Sequence, residues 1–197
     1  MTELLLFRHG ETPWSTIGRH TGWSDLSLTE PGRQQARALG RRLAGRAFSL
    51  VLVSPLLRAR ETCRLAGYDA VAEVDPDLRE WNYGSLEGQT LEEIRAARPG
   101  WNVWRDGAPG GERIDEVAAR ADRVIARALA AGGDVALFAH GHLLRVLATR
   151  WLGVPTAAAA QLALDTASVS LLGLEPERRL IRRWNDVSHL ECVQGER

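Results

Sequence analysis

The chain has 197 residues, of which 25 are basic and 25 are acidic, so its formal net charge at pH 7 is zero. Every basic residue is Arg and none is Lys; this excludes enzymes that form a Schiff base on a lysine and phosphate-binding loops that depend on one. A chain without a net basic field is also not expected to bind nucleic acid or an anionic membrane surface.

The length predicts a single domain over residues 1–197, because domains usually have about 100–200 residues. The segment Met1–Phe7 contains an acidic residue and only four consecutive apolar residues, unlike a signal peptide, and no stretch approaches the roughly 18 apolar residues of a membrane span. Cys63 and Cys192 lie far apart, which is typical of two reduced thiols. We therefore expect a soluble cytoplasmic protein.

The first half of the chain alternates short apolar runs with helical patterns. Residues 4–7 predict a buried strand that ends at Arg8-His9-Gly10. Thr29 is a typical cap for a helix with Pro31 in its first turn, where the missing N–H is not needed. Residues 50–53 predict a second strand, followed by a helix from about Leu56 that carries Arg58.

The second half continues the same alternation. Residues 135–138 predict a third buried strand, which ends at Ala139-His140-Gly141. Helices are predicted over 114–129, 143–152 and the alanine run 157–160, and two strands that we expect to pair are predicted over 168–174 and 180–184. Continuous apolar strands between helices predict a three-layer α/β/α sandwich with a mostly parallel central sheet.

Four polar residues lie where the predicted strands end. In open α/β sheets ligands bind outside the carboxyl ends of the strands, so Arg8, His9, Arg58 and His140 are expected to converge on one crevice. Guanidinium groups match the oxygens of a phosphate, and a neutral imidazole can attack phosphorus. From the residues alone, a histidine at a strand end is just as readily a structural hydrogen-bonding group.

The order of the motifs resembles a known family. Arg8-His9-Gly10-Glu11-Thr12 is similar to the signature of the histidine phosphatase, or phosphoglycerate mutase-like, superfamily. Three later segments resemble its other motifs in the family's order: 54–62 the second arginine motif, 78–88 the acid motif and 139–141 the second histidine motif. The resemblance runs from about residue 4 to residue 190, and it implies the phosphoglycerate mutase-like form of the predicted sandwich.

The resemblance also implies roles for matched residues. His9 would be the phosphorylated nucleophile, and Glu80 would protonate the leaving group and later activate water. Arg8, Arg58 and His140 would hold the phosphate. No metal or other cofactor is implied. The residues expected to bind substrate at the mouth of the pocket are Ser15, Arg19, Thr21, Gly22, Tyr83, Gly141 and His142.

The segment from Gln89 to Gly111 bears on the activity. Mutases of the family carry a longer segment after the acid motif, with basic residues that grip a substrate carboxylate, whereas this segment is short and has only three arginines. The resemblance therefore implies a phosphomonoesterase acting on a small anionic phosphorylated metabolite, such as a sugar phosphate. Because its acid must be protonated, we expect a pH optimum on the acidic side. A phosphoglycerate-type mutase, a non-catalytic phosphate-binding protein and a Trp-rich interaction module are the alternatives.

Three smaller expectations accompany this interpretation. The pair His140 and His142 could suggest a metal site, but no carboxylate or Cys ligand adjoins it. Trp14, Trp23 and Trp81 lie beside motif residues, and one or two of them would wall the pocket. An exposed apolar strand edge would allow a homodimer.

Overall fold

The computed structural model describes residues 3–176 and 178–191, and these residues form one six-stranded sheet with the strand order β3-β2-β4-β1-β5-β6. The first four strands in that order pair in parallel, whereas β5 and β6 are antiparallel to their neighbours. The strands are β1 (Glu3–Arg8), β2 (Leu50–Val53), β3 (Ala72–Val74), β4 (Val135–Ala139), β5 (Val169–Glu175) and β6 (Arg178–Asp186).

Several helices, including the one predicted to begin at Thr29, have a side-chain cap at the N-terminus. The Thr29 hydroxyl accepts the Gly32 amide at 3.0 Å, and Pro31 occupies the first turn, as predicted. The α-helices are α1 (Pro13–Thr16), α2 (Glu30–Leu43), α3 (Leu57–Leu65), α4 (Leu91–Ala97), α5 (Val103–Asp106), α6 (Ile114–Ala130) and α7 (Gly141–Leu152). Short 3-10 turns span Asp69–Val71, Pro76–Leu78, Gly84–Leu86, Thr156–Gln161 and Ser188–Leu190.

The two faces of the sheet are covered by different helices. Along β1, Leu4 and Leu6 join a core cluster with residues of α6 and α7, whereas Leu5 and Phe7 join a cluster with residues of α2 and α3. Alternate side chains of a strand point to opposite faces, so a continuous apolar run is needed where both faces are buried. The predicted α/β/α sandwich with a mostly parallel sheet is confirmed.

The differences from the predicted elements occur at short or marginal segments. β3 was not predicted because it is a three-residue edge strand with mostly exposed side chains. α7 begins two residues earlier than predicted, at Gly141. The alanine run 157–160 lies in a 3-10 turn of six residues, Thr156–Gln161, that directly follows Pro155, and not in an α-helix.

Two further expectations concern a membrane span and the state of the cysteines. No helix in residues 3–176 and 178–191 is long and apolar enough to cross a membrane. Cys63 is a buried free thiol on α3, and burial raises its pKa to about 12, so it is unreactive at neutral pH. Cys192 lies outside the described residues.

The register of the central strands brings the predicted site residues together. Arg8 of β1 pairs with Ala139 of β4, so His9 and His140 leave adjacent strands at the same level. The His9 amide donates to the Ala139 carbonyl at 3.0 Å, and the Ser54 amide, directly after β2, donates to the Phe138 carbonyl at 3.0 Å. Three adjacent parallel strands therefore end at one polar edge.

Candidate active site

A cleft of about 190 Å³ opens at this edge of the sheet. The volume lies below the roughly 300–1,000 Å³ of sites that enclose drug-sized ligands, so the cleft encloses only a small molecule. Its lining consists of Arg8, His9, Ser15, Gly18, Arg19, His20, Thr21, Arg58, Glu80, Tyr83, Gly141, His142, Arg145 and Leu164.

His9 is held in one tautomer. Its Nδ1 lies 2.7 Å from the Gly10 carbonyl oxygen, which can only accept, so Nδ1 carries the hydrogen and Nε2 keeps its lone pair. Burial, followed by the positive charges of Arg58 and Arg8, lowers the pKa of His9 well below its usual value. The imidazole is therefore neutral at physiological pH, as a nucleophile must be.

Arg58, in the first turn of α3, is fully buried. Its two terminal nitrogens donate to backbone carbonyls, to Ser24 at 3.0 Å and to Gly22 at 2.7 Å, while its Nε has no partner. Arg8 has the same pattern: Nη1 donates to the Leu164 carbonyl and the buried Nε is unpaired. An unpaired buried donor costs about 1–3 kcal/mol, so both arginines favour an anion in the cleft.

His140 lies behind His9 and is completely buried. The ring centroids of the two histidines are 5.2 Å apart. Its Nε2 contacts the Ser54 hydroxyl at 2.7 Å, whereas its buried Nδ1 has no partner. Burial, then the charge of Arg58, lowers the pKa of His140 well below its usual value.

Glu80 is the only acid among the cleft-lining residues that the structure describes, and it is almost fully buried. Its carboxylate accepts three backbone amides: those of Trp81 and Leu143 on Oε1, both at 2.9 Å, and that of His142 on Oε2 at 3.1 Å. Two of these amides belong to the first turn of α7, where the helix dipole favours an acidic group. The contacts fix the carboxyl group at the cleft wall.

The rim residues are hydrogen-bonded within the protein. The Tyr83 hydroxyl lies 2.6 Å from Nδ1 of His142, and Arg19 donates to the Gly88 carbonyl and forms an ion pair with Glu93 at 3.0 Å. Burial raises the pKa of Tyr83 well above its usual value, so the phenol keeps its hydrogen.

The remaining predicted rim residues differ in position. Thr21 and Ser15 line the cleft, although the Ser15 hydroxyl is engaged with Thr12 in the cap of α1. Gly141 also lines it, and a Cβ added there would lie 3.5 Å from the Arg8 guanidinium. Gly22 does not line the cleft: it is buried, and its carbonyl oxygen accepts from Nη2 of Arg58 at 2.7 Å.

Sequence reasoning missed one charged wall residue, Arg145. It lies on α7, four residues after Gly141 and three after His142, a spacing that places it on the same helix face and could have revealed it. Leu164 also lines the cleft, but its loop gave no sequence signal.

The tryptophans that lie beside the motifs do not wall the cleft. Neither Trp14, Trp23 nor Trp81 lines the cleft; Trp81 is buried in the core, and Trp23 is exposed, with its indole N–H donating to the Glu80 carbonyl at 2.9 Å. Within the described part of the chain, no group of three or more His, Cys, Asp or Glu side chains is arranged to hold a metal ion.

Comparison with known proteins places the chain among enzymes of phosphate ester chemistry. It is 44% identical to an acid phosphatase of Mycobacterium tuberculosis, over 87% of this chain and 86% of the relative. It is 35% identical to sedoheptulose 1,7-bisphosphatase of Saccharomyces cerevisiae (76% and 67% covered) and 34% identical to a probable phosphoglycerate mutase of Erwinia tasmaniensis (97% and 96% covered).

Solved structures agree with this placement. A protein of M. tuberculosis determined to 2.2 Å matches with a TM-score of 0.88 and 42% identity, over 93% of this chain and 97% of that one. A mycobacterial glucosyl-3-phosphoglycerate phosphatase in complex with VO3 matches with a TM-score of 0.84 and 34% identity, over 93% and 98%. The family model of the histidine phosphatase superfamily (branch 1) matches residues 4–187. The chain therefore belongs to the histidine phosphatase superfamily.

Proposed function

We propose that this protein is a metal-independent phosphomonoesterase that hydrolyses a small phosphorylated metabolite through a phosphohistidine on His9. One observation carries the proposal: a neutral His9 with its Nε2 free lines the same cleft as Arg8 and Arg58, whose buried Nε donors have no partner. Such an arrangement suits a phosphoryl group, whose oxygens would accept the unused hydrogen bonds while phosphorus meets the nucleophile.

In the first step, the Nε2 lone pair of His9 attacks phosphorus and the bond to the ester oxygen breaks. The leaving oxygen takes a proton from the Glu80 carboxyl group. Glu80 is then a carboxylate, held in place by three backbone amides. The positive charges of Arg8 and Arg58 stabilise the phosphoryl oxygens in the transition state.

In the second step, the Glu80 carboxylate takes a proton from a water molecule whose oxygen attacks the phosphohistidine. The P–N bond breaks, inorganic phosphate forms, and His9 regains its neutral state with the hydrogen still on Nδ1. The Gly10 carbonyl keeps that tautomer throughout, because it accepts from Nδ1 in both steps.

A small metabolite is the substrate class that the cleft supports. The enclosed volume is about 190 Å³, and positive side chains line it although the whole chain is neutral. Two of the similar proteins are named for phosphorylated metabolites of this kind, a sedoheptulose bisphosphate and a glucosyl phosphoglycerate.

A phosphomutase is the second candidate, because relatives named as probable phosphoglycerate mutases match over 97% of the chain or more. The two activities separate experimentally. A mutase requires a bisphosphorylated primer and returns an isomerised monophosphate, whereas the proposed enzyme releases inorganic phosphate without a primer.

Hydrolysis of p-nitrophenyl phosphate with and without EDTA tests the proposal. We expect turnover to be insensitive to EDTA and His9→Ala to lower kcat by at least about 10³-fold, as loss of a covalent nucleophile does. Quenching in alkaline SDS should trap up to one phosphoryl group per chain on His9, because the P–N bond of phosphohistidine survives base but not acid. His189→Gln is a matched control, since His189 lies outside the cleft.

Loss of activity with EDTA, or full activity of the His9→Ala variant, would exclude the mechanism. Phosphate release that depends on a bisphosphorylated primer would instead identify a mutase.

A further inference from the structure

We propose that the buried ion pair between Arg120 and Glu112 acts as a clamp that positions Glu80 for proton transfer, which makes Arg120 a positioning residue of the reaction. The inference rests on the proposed role of Glu80 as the acid of the phosphatase reaction. Neither member of the pair lines the cleft, so both would act only through the segment that carries Glu80.

Arg120 of α6 is nearly fully buried, and all of its donors are used. Its Nη1 donates to the carbonyls of Asp77 at 2.7 Å and Arg79 at 2.8 Å, and its Nη2 donates to the Glu80 carbonyl at 3.3 Å. Nε and Nη2 also donate to the Glu112 carboxylate at 2.8 and 2.9 Å. Five N–H bonds thus meet five acceptors, the full capacity of a guanidinium group.

Glu112 holds the other side of the same segment. Its carboxylate accepts the Asn82 amide at 2.8 Å, its own amide donates to the Asn82 carbonyl at 2.9 Å, and its carbonyl accepts the Trp81 indole N–H at 2.8 Å. Together the pair contacts the chain from Asp77 to Asn82, on both sides of Glu80.

The segment needs such support because it has no regular secondary structure. Residues 79–83 lie between two 3-10 turns and belong to no strand or helix. Glu80 must nevertheless place its carboxyl group against the first turn of α7 while facing the cleft. A small displacement of a catalytic group is enough to lower a rate strongly, because proton transfer requires hydrogen-bond distances.

Arg123, the next residue on the same side of α6, is a matched control. It forms an ion pair with the Asp77 carboxylate, at 2.7 and 2.6 Å, but its side chain is 59% exposed and has no contact with the carbonyls that Arg120 holds. Replacing it removes an arginine and an ion pair from the same region without releasing the Glu80 backbone.

The test compares two substrates whose leaving groups differ in their need for an acid. p-Nitrophenolate leaves without a proton, whereas the alkoxide of glycerol 2-phosphate requires one. We expect Arg120→Met to lower kcat/KM by about 30-fold or more for glycerol 2-phosphate and by no more than about 3-fold for p-nitrophenyl phosphate, since general acid catalysis contributes about 10²–10⁴-fold. Phosphoenzyme should also accumulate with p-nitrophenyl phosphate, because Glu80 activates water in the second step.

Arg120→Lys keeps the charge but offers fewer donors, so it should show the same difference between the two substrates to a smaller degree. This variant replaces Arg120→Met in the test if the Met variant does not fold. Arg123→Met should leave the ratio of the two kcat/KM values unchanged. Equal losses for both substrates in Arg120→Lys or Arg120→Met would overturn the clamp. Glu80→Gln separates the two hypotheses: if it shows no discrimination between leaving groups, the proposed role of Glu80 is wrong.

Discussion

The two ends of the cleft use their polar groups differently. At the inner end, Arg8 and Arg58 each keep one buried Nε donor without a partner; His140, which lies behind His9 and does not line the cleft, has an unpaired Nδ1. At the rim, Arg19 is paired with Glu93 and a carbonyl, and Tyr83 is bonded to His142.

The difference indicates which groups are reserved for a ligand. An unpaired buried donor gains a hydrogen bond when an anion arrives, whereas a paired group must first give up the bond it has. The inner end is thus organised to bind the phosphoryl group, which every phosphate ester shares. The rim limits the shape of the rest of the substrate and offers it few new hydrogen bonds.

Lysine substitution of the arginines is the sharpest test of this contrast. Arg58→Lys and Arg8→Lys should each lower kcat/KM by about 10²–10³-fold, the usual cost of removing a donor that stabilises transition-state charge. Arg19→Lys should change it by less than about 5-fold, because its exposed ion pair is worth little. Steady-state kinetics with p-nitrophenyl phosphate would measure both, and a large effect at Arg19 would refute the division into two ends.

The buried histidines provide a pH test. Their pKa values are lowered, chiefly by burial, so the native state of His9, His140 and His142 stays neutral below pH 6.5 while the unfolded chain takes up protons there. The free energy of unfolding should therefore fall as the pH drops below about 6.5, by up to about 1.4 kcal/mol per pH unit for each histidine.

Urea unfolding at pH 7.5 and 5.5 would measure this loss. Imidazole ¹⁵N NMR would show which histidines cause the loss of stability, and His9 should remain neutral at pH 6. The Arg58→Met substitution should raise the pKa of His9, because it removes a nearby positive charge. A wild-type His9 that titrates near 6.5 would contradict the predicted electrostatics of the inner end.

The smallest effect is expected from Tyr83→Phe. The change removes the partner of Nδ1 in His142 at the rim, a hydrogen bond worth about 0.5–1.5 kcal/mol, so KM should rise by about 2–10-fold with little change in kcat. Tyr68→Phe is the control, because the Tyr68 hydroxyl donates to Leu43 and Arg46 carbonyls away from the cleft. A fall in kcat of more than about 10-fold for Tyr83→Phe would contradict this prediction, because it would show that Tyr83 takes part in the chemical step as the residues at the inner end do.

The sequence predicted the sheet and the convergence of the inner residues because both follow from local pattern. Apolar runs marked the strands, and the polar residues that follow them reach one edge in any parallel sheet. The sequence could not show that the Gly22 carbonyl holds Arg58, because that contact depends on how the loop carrying Gly22 folds against α3. It also gave no sign of the contacts between Arg120 and the Glu80 segment, which join residues about 40 positions apart through backbone atoms.

The in-register pairing of Arg8 with Ala139 has a mechanical consequence. Adjacent strands lie about 4.8 Å apart, a spacing fixed by the hydrogen bonds between them, and the two histidine rings that follow are separated by a similar 5.2 Å. The ladder between β1 and β4 therefore fixes the backbones from which the nucleophile and its neighbour project. Sequence change in the loops can reshape what enters the cleft, but moving these two backbones relative to each other would require breaking the ladder between β1 and β4.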